Sequence, residues 1–342
     1  MNNELFIDNK ASVETCWRSI VLLGRNTASY KFALAKSLLE TTTDDSLVRL
    51  QDLALPYAKN IAEHIKVNEK QAIGSSNTFL DACRKFNTEE IGESELHQQT
   101  MRLGFRYVLD AFHNVGNGEV PRFFEDARKD QKGIILSDQF YQLINSNQQT
   151  NFTFEIESRW RLWETAISLN INPNLLTINP DETADALFII NENQRRQNVT
   201  SSRDALNGYQ KGKCFYCLKD ILIERNHDNS CDVDHFFPDM LKHHGLNNLN
   251  QVWNLVLTCV SCNRGAGGKF ERIPDISFLY LLNKRNNFYV ESHHPLRETI
   301  INQTGKTKDD RKSFLQTMFN SATDFLPSEN KWKPLEQVGE TF

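Results

Sequence analysis

The chain has 342 residues, 39% hydrophobic and 24% charged, with a net charge of −5 at pH 7. That length supports two or three packed units, and the acidic balance excludes a protein that coats nucleic acid by bulk attraction. No apolar run reaches the roughly 20 residues that cross a bilayer, and the polar, acidic start MNNELFIDNKASVETC lacks the features of a signal peptide, so the expectation is a cytoplasmic protein with no membrane partner. The charge is uneven: residues 1–199 hold 21 Lys+Arg against 27 Asp+Glu, whereas 200–300 hold 12 against 11. Phosphate contacts are therefore expected in the second half alone.

In chain order, the first part reads as mostly helical. Val13, Trp17, Ile20 and Val21 share one helical face, as do Ala28, Phe32, Ala35 and Leu39. Pro56 is expected to open a helix through Ile61 and Ile65, and Phe79, Cys83 and Phe86 mark another. Leu103, Tyr107, Leu109 and Phe112 suggest one more, ended by a turn at Gly116–Gly118. Ile156, Trp160, Trp163 and Ile167 give the clearest amphipathic stripe. These aromatics are read as helix-packing core, not as base-stacking groups.

The stretch 171–198, rich in Asn, Pro and acid, reads as a connector with a short helix around Ala184–Ile190. Thr200 or Ser201 is placed to cap the next helix, which carries Ala205, Leu206 and Tyr209. Beyond the cysteines, Ile276–Leu282 reads as helix, Phe288-Tyr-Val as a short strand, and Phe314, Leu315, Met318, Phe319 and Ala322 as a final helix.

Four of the seven cysteines form two Cys-x-x-Cys pairs, Cys214/Cys217 and Cys259/Cys262. Two thiolates from one tight turn meet one tetrahedral ion, so the four are expected to hold a structural Zn²⁺ with no open coordination position. Cys16, Cys83 and Cys231 lack paired spacing and read as small buried apolar residues. His243 and His244 lie in a polar loop and read as solvated surface, and His293-His294-Pro295 falls outside the cysteine-bounded segment.

The segment CDVDHFFP, followed by NLVLTCVSCNRG, resembles the HNH, or His-Me finger, endonucleases, and among them the members with paired cysteines. The resemblance covers roughly residues 211–273. It implies a ββα-metal fold for that segment and hence an α+β chain, divided into a helical, acidic region 1–195, a nuclease domain 196–297, and a C-terminal helix and tail 298–342. Region 1–195, which shows no chemistry of its own, is expected to regulate or dock the nuclease, since an unrestrained nuclease would harm its own cell. It implies His235 as general base, Asp234 and Asn263 as oxygen ligands of a catalytic Mg²⁺ or Mn²⁺, and DNA as substrate. Asn254, uncharged, is expected to bond backbone across the loop and hold His235. A regular strand would send Asp234 and His235 to opposite faces, so sharing one site requires the strand to end or bend there. Arg264 and Lys269 bracket the run Gly265–Gly268 and are expected at phosphates, with Arg203 as a further backbone contact. Arg195 and Arg196 read more as a solvated face. The layout is also similar to HNH nucleases of bacterial anti-phage defence. Two readings stand beside this one: a zinc-knuckle module that binds nucleic acid or a protein partner without chemistry, and an HNH nuclease acting on RNA.

Overall fold

In a computed structural model, the described residues are 12–23, 26–41, 45–74, 78–116, 118–169, 176–181, 186–190, 196–224, 229–291, 294, 296–326 and 331–337. They mix helix and sheet, and the chain divides into two compact units, Met1–Asn172 and Pro173–Phe342. The division precedes the expected boundary at 195, a position outside the described residues. The C-terminal helix and tail, expected as a separate part, belong to the second unit. No helix among the described residues is long and apolar enough to cross a membrane.

In the first unit the apolar stripes become helices Val13–Leu23, Tyr30–Glu40, Leu50–Val67, Thr78–Asn87 and Gln149–Ser168. Trp17, Phe32, Phe79, Cys83, Ile156, Trp160 and Trp163 are buried in one core. Trp160 stacks on His64 with ring centroids 3.5 Å apart, and its Nε1 donates to Gln71 Oε1 at 2.8 Å. Arg18 donates twice to Glu155, at 2.8 and 2.9 Å. Both side chains are nearly fully buried, a setting in which losing one partner costs about 3–5 kcal/mol.

Two local readings are corrected. Pro56 does not open a helix; it lies inside Leu50–Val67, because the chain leaves the strand Leu47–Arg49 directly into the helix and buries Leu50 and Leu53. Proline removes one main-chain donor there, and the long buried face carries the helix across the gap. The stripe Leu103–Phe112 is split into a π-helix Thr100–Gly104 and a turn of helix Val108–Ala111, with the Tyr57 hydroxyl donating to the Gly104 carbonyl at 3.2 Å. The unit also holds an antiparallel three-stranded sheet, Leu47–Arg49, Gly133–Leu136 and Phe124–Ala127, with Gly133–Leu136 central. Asn114–Val115 and Gly118–Glu119 form a short antiparallel pair flanking the expected turn, whose residue 117 lies outside the described residues.

The second unit opens with a sheet of Asn179–Pro180, Leu187–Ile190 and Arg196–Thr200 in the stretch expected to be connector. Leu187–Ile190 is a strand rather than the end of a short helix; residues 182–185 lie outside the described residues. A four-residue apolar run fits either element, and here pairing on both sides decides it. Ser201 caps helix Ser202–Gln210, its side chain accepting from the Arg203 N–H. Strands Cys231–His235 and Leu255–Cys259 pair antiparallel, and the short helix Val260–Arg264 follows at once. The expected strand at Phe288 is instead the last turns of helix Ile276–Glu291. Its buried residues Phe278, Leu282, Asn286 and Tyr289 continue at helical spacing. Helices Arg297–Thr304 and Lys308–Phe325 pack next, and Lys331–Trp332 pairs with Ile273–Pro274.

Candidate functional site

The first Cys-x-x-Cys lies in a turn docked on the edge of strand Leu255–Cys259, where the Phe215 N–H donates to the Leu257 carbonyl at 2.9 Å. Gln210 completes that edge. Its Nε2 donates to the Leu257 carbonyl at 2.7 Å, and its Oε1 accepts from the Leu257 N–H at 2.7 Å. The second pair straddles the passage from the strand into helix Val260–Arg264, so Cys259 and Cys262 face back toward the first turn. All four sulfurs lie within 4.8 Å of one another, and Cys217 Sγ and Cys259 Sγ are 3.7 Å apart. Four sulfurs about 2.3 Å from a tetrahedral zinc would be about 3.8 Å apart, so the donor set fits Zn²⁺. Cys231 is buried opposite Cys259 in strand register, outside this quartet. Cys16 and Cys83 are buried in the first unit.

Beside the hairpin opens a cleft of about 320 Å³, bordered by Ser202, Arg203, Asp232, His235, Asn250 and Asn263 among others, with Arg264 at its edge. His235 ends its strand opposite Leu255 and is partly exposed. Burial holds its imidazole below the usual range, opposed by the neighbouring Asp234 charge. It is therefore the neutral, proton-accepting form that prevails near neutral pH. Past His235 the chain turns under Asn254, which is fully buried. Asn254 Oδ1 accepts from the Phe237 N–H at 2.8 Å, and Nδ2 donates to the carbonyls of Phe237 and Leu249 at 2.9 and 2.7 Å.

The structure divides the expected residues. Asp232, Val233, His235 and Leu255 line the cleft, while Asp234 is turned into the interior. There its carboxylate accepts from the Tyr216 hydroxyl at 2.9 Å and from Lys269 Nζ at 3.1 Å. Asn263 does not meet Asp234. Its Nδ2 donates to Asp232 Oδ2 at 3.1 Å, and Arg264 Nε donates to the same oxygen at 2.8 Å. The carboxylate bordering the cleft beside Asn263 is thus Asp232, which the sequence reading passed over.

Lys269 is also corrected. Expected at a phosphate, it is fully buried and ion-paired with Asp234. Burial pushes the Asp234 carboxyl up and the Lys269 ammonium down, each opposed by the other's charge. The glycines serve the chain itself: a Cβ on Gly265 would lie 2.7 Å from Ser261 Cα, and one on Gly268 2.9 Å from the Gly265 N. Arg264 remains largely exposed at the cleft edge, and Arg203 borders the cleft from the first turn of its helix. His244 stacks on Phe325 with centroids 5.1 Å apart. Arg195, His293 and Pro295 lie outside the described residues, as does the side chain of Arg196.

Arg285 is a further residue the sequence reading missed. Fully buried, it donates to the carbonyls of Val252, Trp253 and Leu255, bracing the turn that carries Asn254 from behind. No protein-family model, curated protein or solved structure matches this chain.

Proposed function

We propose that the second unit is a metal-dependent endonuclease of the HNH type that hydrolyses phosphodiester bonds of DNA, with His235 as general base. The observation that carries this reading is the cleft itself. An imidazole, two carboxylates (Asp181 and Asp232), amide oxygens and two guanidinium groups border one opening beside a four-sulfur cluster that fits zinc. The strand–strand–helix order of Cys231–His235, Leu255–Cys259 and Val260–Arg264 supports it.

His235 would accept a proton from a water, whose oxygen attacks phosphorus as the bond to the 3′ oxygen breaks, leaving a 5′ phosphate. Asp232 and Asn263 are the oxygen donors that would hold a hard cation there. One carboxylate with waters and substrate oxygens suits Mg²⁺ or Mn²⁺. When bound, that ion supplies positive charge for the phosphate and the leaving oxygen. Arg264 and Arg203 would contact flanking phosphates. Purified protein should nick or cut plasmid DNA with Mg²⁺ or Mn²⁺ and stop on chelation. Equal or faster digestion of RNA in parallel would move the substrate assignment to RNA.

One observation favours a second reading, a zinc-knuckle module that binds nucleic acid or protein without turnover: Asp234 is already committed to Lys269 and Tyr216. Binding retained with no cleavage under any divalent ion decides for it. The first unit is proposed to dock or restrain the nuclease, in keeping with its acidic balance and with a role in defence against phage. A folded chain beginning at Pro173 should then cut faster than the whole protein, and an unchanged rate contradicts restraint.

A further inference from the structure

Lys269 is placed between the zinc cluster and the proposed base. Its backbone N–H donates to the carbonyl of Cys262 at 2.6 Å, so its main chain is tied to a zinc-ligand residue. Its side chain runs the other way. An ammonium has three protons to donate, and here they have three acceptors: the His235 carbonyl at 2.8 Å, Asp234 Oδ1 at 3.1 Å and the Phe270 carbonyl at 3.2 Å. The other Asp234 oxygen takes the hydroxyl of Tyr216, which lies between Cys214 and Cys217. Each zinc-binding turn therefore reaches the end of the His235 strand through a buried polar contact.

A staple for stability alone would not need this chemistry. Well-packed apolar side chains in place of a buried ion pair are often neutral or stabilising. What the ion pair adds is direction, since the ammonium spends a donor on the carbonyl of His235 itself. We propose that Lys269 is a positioning residue, whose buried ammonium fixes the backbone of His235 relative to the zinc cluster and so aims the imidazole into the cleft. Asp234 is its counter-ion and takes the same structural part. The inference deepens the nuclease reading and rests on it for its kinetic consequence, but the placement of His235 can be tested without cleavage.

The test uses full-length Lys269→Met, Lys269→Arg and the double variant Asp234→Asn/Lys269→Met, in which no uncompensated buried carboxylate remains. Zinc content, kcat and KM for plasmid cleavage, and the imidazole NMR resonances of His235 are compared with the parent. The double variant should keep one zinc per chain and a KM within about twofold. Its kcat should fall about tenfold or more, a misplacement effect, and its His235 resonances should shift or broaden. Lys269→Arg, which keeps charge and donors, should retain more kcat than Lys269→Met. A double variant with zinc bound and both kcat and the His235 resonances like the parent's overturns the proposal. Loss of zinc from the single and double variants alike also overturns it, by making Lys269 a residue of the fold alone. If the parent itself does not cut, the nuclease reading fails and the resonances still decide the placement of His235.

Discussion

Replacing Cys262 with serine should strip the zinc from the protein and melt the candidate site along with it. The reason is geometric. Cys214 and Cys217 sit on one turn, with 41 residues between Cys217 and Cys259 along the chain, and the four sulfurs converge to within 4.8 Å. Structural zinc contributes roughly 10–16 kcal/mol of apparent binding energy at pH 7, which is folding energy where no site exists in the unfolded chain. Cys262 also opens the path through Lys269 to His235. Metal analysis and circular dichroism should show zinc absent and the second unit's structure lost, with the same outcome when the parent is treated with a strong chelator. Cys231→Ser, altering a cysteine outside the quartet, should keep its zinc. A Cys262→Ser protein that retains stoichiometric zinc and the parent's spectrum would contradict the clamp.

The second large effect is expected at His235. His235→Ala should lower the cleavage rate by about 10²- to 10⁴-fold, the range a general base contributes, with zinc content unchanged because the side chain faces the cleft and not the cluster. The pH profile follows from the same group. A base works unprotonated, and burial holds this imidazole below its ordinary value. The parent's activity should therefore persist below pH 6.5 and fall only as the pH passes through the lowered pKa. An activity already half lost above pH 7, or a variant that cuts like the parent, contradicts the assignment of His235.

Some of this was legible from residues alone. The paired cysteines announced the cluster because tetrahedral zinc imposes a spacing along the chain, and the aromatic stripes announced the first unit's helices because burial imposes a period. Asp234 was expected to share the site of His235, with the strand ending or bending between them; instead His235 lines the cleft and Asp234 lies in the interior. What could not be read was partnership across distance. Lys269 was read as a phosphate contact beside a glycine run because nothing local marks it for burial; its fate is set by Asp234, 35 residues earlier. The place of Asp232 beside Asn263 likewise depends on how helix Val260–Arg264 lies against the hairpin. Arg285 and Gln210 act on carbonyls and amides of strand Leu255–Cys259 and the turn before it, and such contacts carry no spacing rule. The strand at Leu187 and the helical turns at Phe288 were misread for a related reason, since a short apolar run fits either element until its neighbours are known.

The most direct test is a plasmid cleavage time course with parent protein carrying one zinc per chain, first without added divalent ion, then with Mg²⁺, then with Mg²⁺ chelated. Cutting that starts with Mg²⁺, ends on its removal and leaves 5′ phosphates is the predicted result. Intact plasmid throughout, with the zinc in place and the protein folded, would contradict it.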